Sequence, residues 1–168
     1  MSPTIHAVLV EPEIHWNAGN VGRTCLAAGA QLHLVEPLGF ELSDRRVRRA
    51  GLDYWPRVQP HLWSCWEEFH TATEDLGELF FFAPEGRRDL WSADYGRNPV
   101  LIFGRESTGL PRPLLERFAE RTVAVPMADP ELRSLNLSTT VALALYEVLR
   151  QRQASSGSAS SANSPSTR

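Results

Sequence analysis

The chain has 168 residues, of which 42% are hydrophobic and 22% charged, and its formal net charge is −3 at pH 7. That length suits one domain able to bury a core of its own, and the balance excludes a disordered polyelectrolyte and a general nucleic-acid sponge. All 17 cationic residues are arginine, and four form one run, Arg45, Arg46, Arg48 and Arg49, which reads equally as a solvated helix face or as a phosphate contact. The two cysteines, Cys25 and Cys65, lack metal-ligand spacing and read as reduced core thiols. No stretch reaches the roughly 18 apolar residues of a membrane span. The N-terminus carries no signal-peptide pattern, so the expected location is the cytoplasm, with no membrane and no metal involved.

In chain order, Ile5–Val10 is a buried strand, and "EPEIHWNAGNVGR" reads as a polar loop. A helix is predicted from about Asn20 to Ala28, ended by Gly29. Gln31–Val35 is a second strand. Ser43 suits the cap of a short helix through Arg49. Ser64 and Glu67 have capping-box spacing and open a helix through about Thr73. Leu79–Ala83 and Val100–Phe103 are the third and fourth strands. Pro111 suits the first turn of a helix to about Arg121. Thr122–Val125 is a fifth strand, and a last helix runs from about Leu137 to Gln153.

Strands that are continuous apolar runs, alternating with helices, predict an α/β fold with a mainly parallel sheet covered on both faces. Residues 1–153 form the single domain. Residues 154–168 contain nothing apolar larger than alanine and are predicted to be a disordered Ser/Ala-rich tail.

In such a sheet, ligands bind beyond the carboxyl ends of the strands. Three polar loops fall there: Asn17–Arg23 after the first strand, Gly104–Pro111 after the fourth, and Pro126–Met127 with Arg133–Ser138 after the fifth. None is a P-loop or a dinucleotide fingerprint. Taken in order, "EPEIHWNAGNVGRTC", "LHLVEPLGFELSDRRVRRAGLDY", "FGRESTGLP" and "VPM…RSLNLSTTVALALYE" resemble the motifs of the SPOUT methyltransferases. The match is to the small tRNA (cytidine/uridine-34 2′-O)-methyltransferases and covers Ala7 to Gln151. Two details depart from that pattern: "GRES" stands where relatives often have Gly-Pro-Glu, and "PMADPELRS" is one residue longer.

The resemblance implies a deep C-terminal trefoil knot that nothing in the periodicity would suggest. It implies methylation of the ribose 2′-hydroxyl of the wobble nucleotide in tRNA, with S-adenosyl-L-methionine held by Phe82, Gly104, Val125, Ser134 and Leu135. From their sequence context alone, Phe82 and Val125 read as core. Arg23 matches the family's arginine at the reacting ribose. Its guanidinium is charged at any working pH, so it suits stabilisation of an alkoxide rather than proton abstraction. Asn17 is expected to order its loop and hold Arg23, Glu106 to pair with a cofactor-loop arginine, and Asn136 to serve the site.

The resemblance also implies a homodimer through the first and last helices, with Arg23 lent by the partner subunit. It places Tyr146 and the Arg45–Arg49 run against the anticodon stem-loop, where Trp16 and Trp55 are candidates for base stacking. A methyltransferase for another RNA position, or a non-catalytic RNA-binding protein with the same fold, is the alternative.

Overall fold

The computed structural model of the protein describes residues 4–42 and 53–161. The chain runs β1 (Ile5–Val10), α1 (His15–Ala28), β2 (Ala30–Val35), α2 (Trp55–Val58), β3 (His61–Trp63), α3 (Trp66–Ala72), β4 (Glu78–Phe82), β5 (Arg88–Asp89), β6 (Pro99–Phe103), α4 (Arg112–Arg117), a 3-10 turn (Ala119–Arg121), β7 (Thr122–Ala124) and α5 (Leu137–Ser161). The strands make one sheet in the order β3-β2-β1-β6-β4-β7-β5, and every pairing is parallel.

The apolar runs explain this arrangement. Alternate residues of a strand point to opposite faces. Ile5, Ala7, Leu9, Phe80, Phe82, Leu101 and Phe103 therefore pack on one face with Val21 and Cys25 of α1 and Val141 and Leu145 of α5. Val8, Val10, Leu79, Phe81, Val100 and Ile102 pack on the other with Phe69 of α3 and Leu114 of α4. Burial on both faces requires the continuous runs seen in the sequence, at about 1.5–3 kcal/mol per large side chain. Burial also pushes the Cys25 thiol up to about 12; both cysteines are free.

Several boundaries differ from the sequence reading. Helix α1 begins at His15, five residues before Asn20, so most of the expected loop is helical. The edge strands β3 and β5, three and two residues long, carried no readable pattern. The carboxylate that reaches back at the start of α3 is Glu68, not Glu67: it accepts from the backbone N–H and hydroxyl of Ser64 at 2.8 and 2.6 Å. The helix after Pro111 breaks at Phe118 and finishes as the 3-10 turn. Helix α5 continues beyond Gln153 to Ser161. Nothing in the Ala/Ser sequence there forbids a helix, and the Ser155 and Ser156 hydroxyls donate to the Gln151 and Arg152 carbonyls. The predicted helix over 43–49 and the last residues, 162–168, lie outside the described residues.

The β4–β6 connection is gripped on two sides. Ala83 and Leu90 donate backbone bonds to Val123 and Ala124 of β7. Farther along, Tyr95 N–H donates to the Gln151 side chain of α5, and Gln151 Nε2 donates back to the Ala93 carbonyl. The connection is thus bonded to the chain on both sides of the 125–136 segment, to β7 before it and to α5 after it.

At the opposite edge, three histidines line up across β1, β2 and β3. Trp63 Nε1–H donates to His33 Nδ1 at 3.1 Å, and His33 Nε2 lies 3.0 Å from His6 Nδ1. Indole is only a donor, so neutral His33 carries its proton on Nε2 and donates to His6. Burial, reinforced by His6 and His61, lowers His33 from 6.5 to about 3. Among the described residues no helix is long and apolar enough to cross a membrane, and no group of three His, Cys, Asp or Glu is placed to hold a metal ion.

Candidate functional site

The carboxyl ends of β4, β6 and β7 open into one cavity of about 430 Å³, a size suited to a small-molecule ligand. Its floor is Phe82 stacked on Phe103, ring centres 4.6 Å apart and 20° from parallel. Val125 and Leu135 add apolar wall. The segments 104–110 and 133–137 line two sides, and Ile14, just before α1, and Asn17 of α1 close a third. All five expected cofactor residues, Phe82, Gly104, Val125, Ser134 and Leu135, line this cavity together with Asn17 and Asn136. Phe82 is thus both core and cavity floor.

Gly104 is needed for a different reason from close approach to a ligand. The 104–110 loop folds back on itself: Arg105 and Gly109 exchange backbone hydrogen bonds of 3.1 and 2.9 Å. A Cβ on Gly104 would lie 2.1 Å from the Gly109 carbonyl carbon and 2.2 Å from Leu110 N, and Gly109 itself has a φ of +71°. Only glycine fits both positions.

The folded loop aims Glu106 at the start of α1. Its carboxylate accepts from the Glu13 and Ile14 N–H groups at 2.7 and 3.1 Å and from Asn17 Nδ2 at 3.0 Å. Glu13 answers by accepting from the Ser107 N–H and hydroxyl, both at 2.9 Å. Glu106 therefore does not pair with a cofactor-loop arginine. Arg105 pairs with Glu11, and Arg133 Nη2 donates to the Ser107 carbonyl at 3.0 Å. The sequence showed no link between Glu13 and Ser107; only the fold brings them together.

On the far wall, Asn136 Oδ1 accepts from Ser138 N–H, Ser138 Oγ and Thr139 N–H, capping α5. Its Nδ2 donates to Asn17 Oδ1 at 3.0 Å. Backbone donors fix one amide and the acceptor-only carboxylate fixes the other, so the orientation of both is determined. Glu106, Asn17 and Asn136 form one chain of hydrogen bonds linking the 104–110 loop, helix α1 and the start of α5. Asn17 does not hold Arg23 as expected.

Arg23 is exposed on α1, its guanidinium 4.7 Å from the centre of the Tyr54 ring, and Tyr54 is anchored by donating to the Gly19 carbonyl at 3.0 Å. Arg23 does not line the cavity of its own chain. Tyr146 lies elsewhere, in a shallow apolar groove on α5 with Trp91, Ala142 and Leu143. Arg45, Arg46, Arg48 and Arg49 lie outside the described residues. Of the two candidate stacking tryptophans, Trp55 is buried and Trp16 is exposed.

A model of the SpoU rRNA Methylase family matches residues 4–146. The chain belongs to the SpoU methylase family. Among SpoU relatives, the tRNA (cytidine(34)-2′-O)-methyltransferase of Burkholderia cenocepacia (strain HI2424) is 47% identical over 148 residues, covering 87% of this chain and 94% of the relative. A solved structure concerned with the 2-OH methylation of C/U34 on tRNA superposes with a TM-score of 0.83 at 44% identity, covering 90% of this chain and 97% of that one. An AdoMet-bound rRNA methyltransferase from Sinorhizobium meliloti superposes at 0.77 with 26% identity, covering 90% of this chain and 59% of that one. The α/β architecture and the parallel sheet of this SpoU methylase agree with the sequence reading.

Proposed function

We propose that this chain transfers a methyl group from S-adenosyl-L-methionine to the ribose 2′-hydroxyl of the wobble nucleotide, position 34, of tRNA, with cytidine or a modified uridine as the base. The observation that carries the reading is the convergence of Phe82, Gly104, Val125, Ser134 and Leu135 on one cavity beside the Asn17–Asn136 pair. The tRNA 2′-O-methyltransferase relatives support the choice of substrate. The trefoil threading belongs to this reading through the family fold. The grip of the β4–β6 connection on both β7 and α5 supports it.

The residues fit the cofactor. Phe82, Val125 and Leu135 offer apolar walls for a flat heteroaromatic ring, while main chain on two sides and the Ser134 and Thr140 hydroxyls can read polar edges. When bound, the cofactor supplies an electrophilic methyl on a sulfonium. The chain's own task is to align the ribose oxygen with that methyl and to exclude competing geometries, and such orientation contributes several kcal/mol.

Asn17 and Asn136 act as positioning residues, because their amides are committed to each other, to Glu106 and to the α5 cap. Glu106 is committed to α1 in the same way. Arg23 contributes a permanent positive charge that stabilises the developing alkoxide and grips an adjacent phosphate. Since Arg23 lies outside its own cavity, it serves the partner's site in a homodimer. The apolar pair Ala142 and Leu143 on α5, with Trp91 beside it, is a face such a dimer would cover. Tyr146 and Arg45, Arg46, Arg48 and Arg49 are assigned to the anticodon stem-loop, and the enzyme to the cytoplasm.

The test is to incubate the protein with methyl-labelled cofactor and tRNA and digest the product to nucleosides. Label on the ribose of nucleotide 34 is expected. Label on a base, or on a ribose at another position, overturns the reading.

A further inference from the structure

Helix α1 presents more than its core and cavity faces. At about 100° per residue, an exposed stripe lies roughly 120° around the axis from the side carrying Ile14 and Asn17. Trp16, Asn20, Arg23 and Ala27 follow one another along it at helical spacing, all exposed. Trp16 stands out, with 53% of its surface open. Its one aromatic neighbour among the described residues is His15, at 4.6 Å and a 37° tilt. The buried Trp55 instead packs beneath α1, where its ring would touch a Cβ on Gly22 at 2.8 Å. Trp63 and Trp66 pack on Phe69.

We propose that Trp16 is a stacking platform for a nucleobase of single-stranded RNA, the base flanking the nucleotide that Arg23 engages. The inference rests on the RNA reading above and deepens it. Trp16 and Arg23 are seven residues apart on one stripe, about 10 Å along the axis. The helix between them is rigid, so whichever cleft Arg23 serves, Trp16 is delivered with it. That spacing sets the indole against a neighbouring base rather than the reacting ribose.

Asn20, between the two, offers an amide to a base edge or a phosphate. The stripe carries no carboxylate, and Glu13 and Glu106 at the entry to α1 are occupied by N–H and hydroxyl donors. Stacking needs an exposed base face, which a paired stem does not offer and an unpaired loop does. An indole accepts any base, so the platform fixes register while leaving base identity to other contacts.

Fluorescence titration with an anticodon stem-loop RNA, on the full chain saturated with S-adenosylhomocysteine, tests this. Quenching is expected in the native protein and should be largely lost in Trp16→Phe. Trp16→Ala should bind the RNA about tenfold more weakly, while Trp16→Phe stays closer to the native protein, as base–aromatic stacking implies. Cofactor affinity, measured by calorimetry, should be unchanged in both. Three outcomes overturn the proposal: no quenching in the native protein, equal quenching in Trp16→Phe, or unaltered RNA affinity in Trp16→Ala. A fourth is dissociation of a native dimer by Trp16→Ala in sedimentation, because the indole would then be interface packing. Methyl transfer is scored separately: label on a base overturns the proposed reaction while leaving the quenching result standing.

Discussion

Two helices begin at the rim of the cleft, and they are capped in opposite ways. Helix α5 is capped from within, by Asn136 immediately before its first residue, through bonds of 2.9 and 3.3 Å to the Ser138 and Thr139 N–H groups. Helix α1 has no such local cap; Ile14 precedes it and has no polar side chain. Instead, the N–H groups of Glu13 and Ile14, the two residues leading into it, are held by Glu106, more than 90 residues away along the chain. A local cap forms with its own helix. A distant cap forms only when β1, β6 and the 104–110 loop are already in place, so α1 reports on the assembly of the site.

The largest break in this comparison is Gly104→Ala. The new methyl has nowhere to go between Gly109 and Leu110 backbone, so the loop must open and withdraw Glu106 from α1. A loss on the order of 3–4 kcal/mol is expected in denaturant unfolding, with cofactor binding abolished in calorimetry. Native-like stability would mean that the loop has a second conformation compatible with the cap. Removing the carboxylate while keeping the loop is the next step. Glu106→Ala leaves two backbone donors and the Asn17 amide without their acceptor and should cost about 2–3 kcal/mol. Amide exchange should rise at residues 13–17 and stay unchanged at the start of α5. Equal exchange at both helix starts would erase the distinction between them.

The histidine row at the far edge provides a reference that shares neither cap. The folded-state pKa of His33 is lowered from 6.5 to about 3, so between those values the unfolded chain binds a proton that the folded chain refuses. Stability is therefore complete above about pH 6.5 and falls as pH drops toward 3, with about 2 kcal/mol lost by pH 5. His33→Gln should flatten that limb, and Glu106→Ala should leave its slope as it is. His6, also held below its ordinary value by burial and then by His61, keeps a smaller part of the limb; a limb undiminished in His33→Gln would place its origin elsewhere, including the cleft.

These contrasts also explain what the sequence could disclose. Strands β1, β2, β4 and β6 are apolar on both faces, so their runs announced a parallel sheet covered by helices. β3 and β5 are short edge strands whose formation depends on the neighbour they pair with. The start of α5 was readable because Asn136 and Ser138, two residues apart, are both of types that favour a helix start. The start of α1 was not, because Asn17, Gly19, Asn20 and Gly22 favour a loop locally, and the residue that overrides them lies in another motif. Gly22 shows the same override: a Cβ there would sit 2.8 Å from the Trp55 ring. The site residues emerged from a family pattern rather than periodicity, since Phe82 and Val125 have the side chains of core residues.

The smallest effect tests whether the two helix starts communicate. Asn17 belongs to α1 and Asn136 to α5, and one hydrogen bond of 3.0 Å joins them. Asn136→Ala removes a cap and should cost about 1 kcal/mol. Asn136→Ser should restore the cap without reaching Asn17, so the difference between the two variants isolates the bond across the cleft. A double-mutant cycle of Asn17→Ala with Asn136→Ala should give a coupling of about 0.5–1 kcal/mol, because each amide is the other's partner and each also holds its own helix start. The same cycle read through cofactor affinity should show a larger coupling than the one read through stability. The pair stands in the wall of the cavity, where a small displacement reaches the ligand before it reaches the core. Zero coupling in both readouts would mean that the locally capped helix and the remotely capped one are set independently, and that the cleft is held by Glu106 alone.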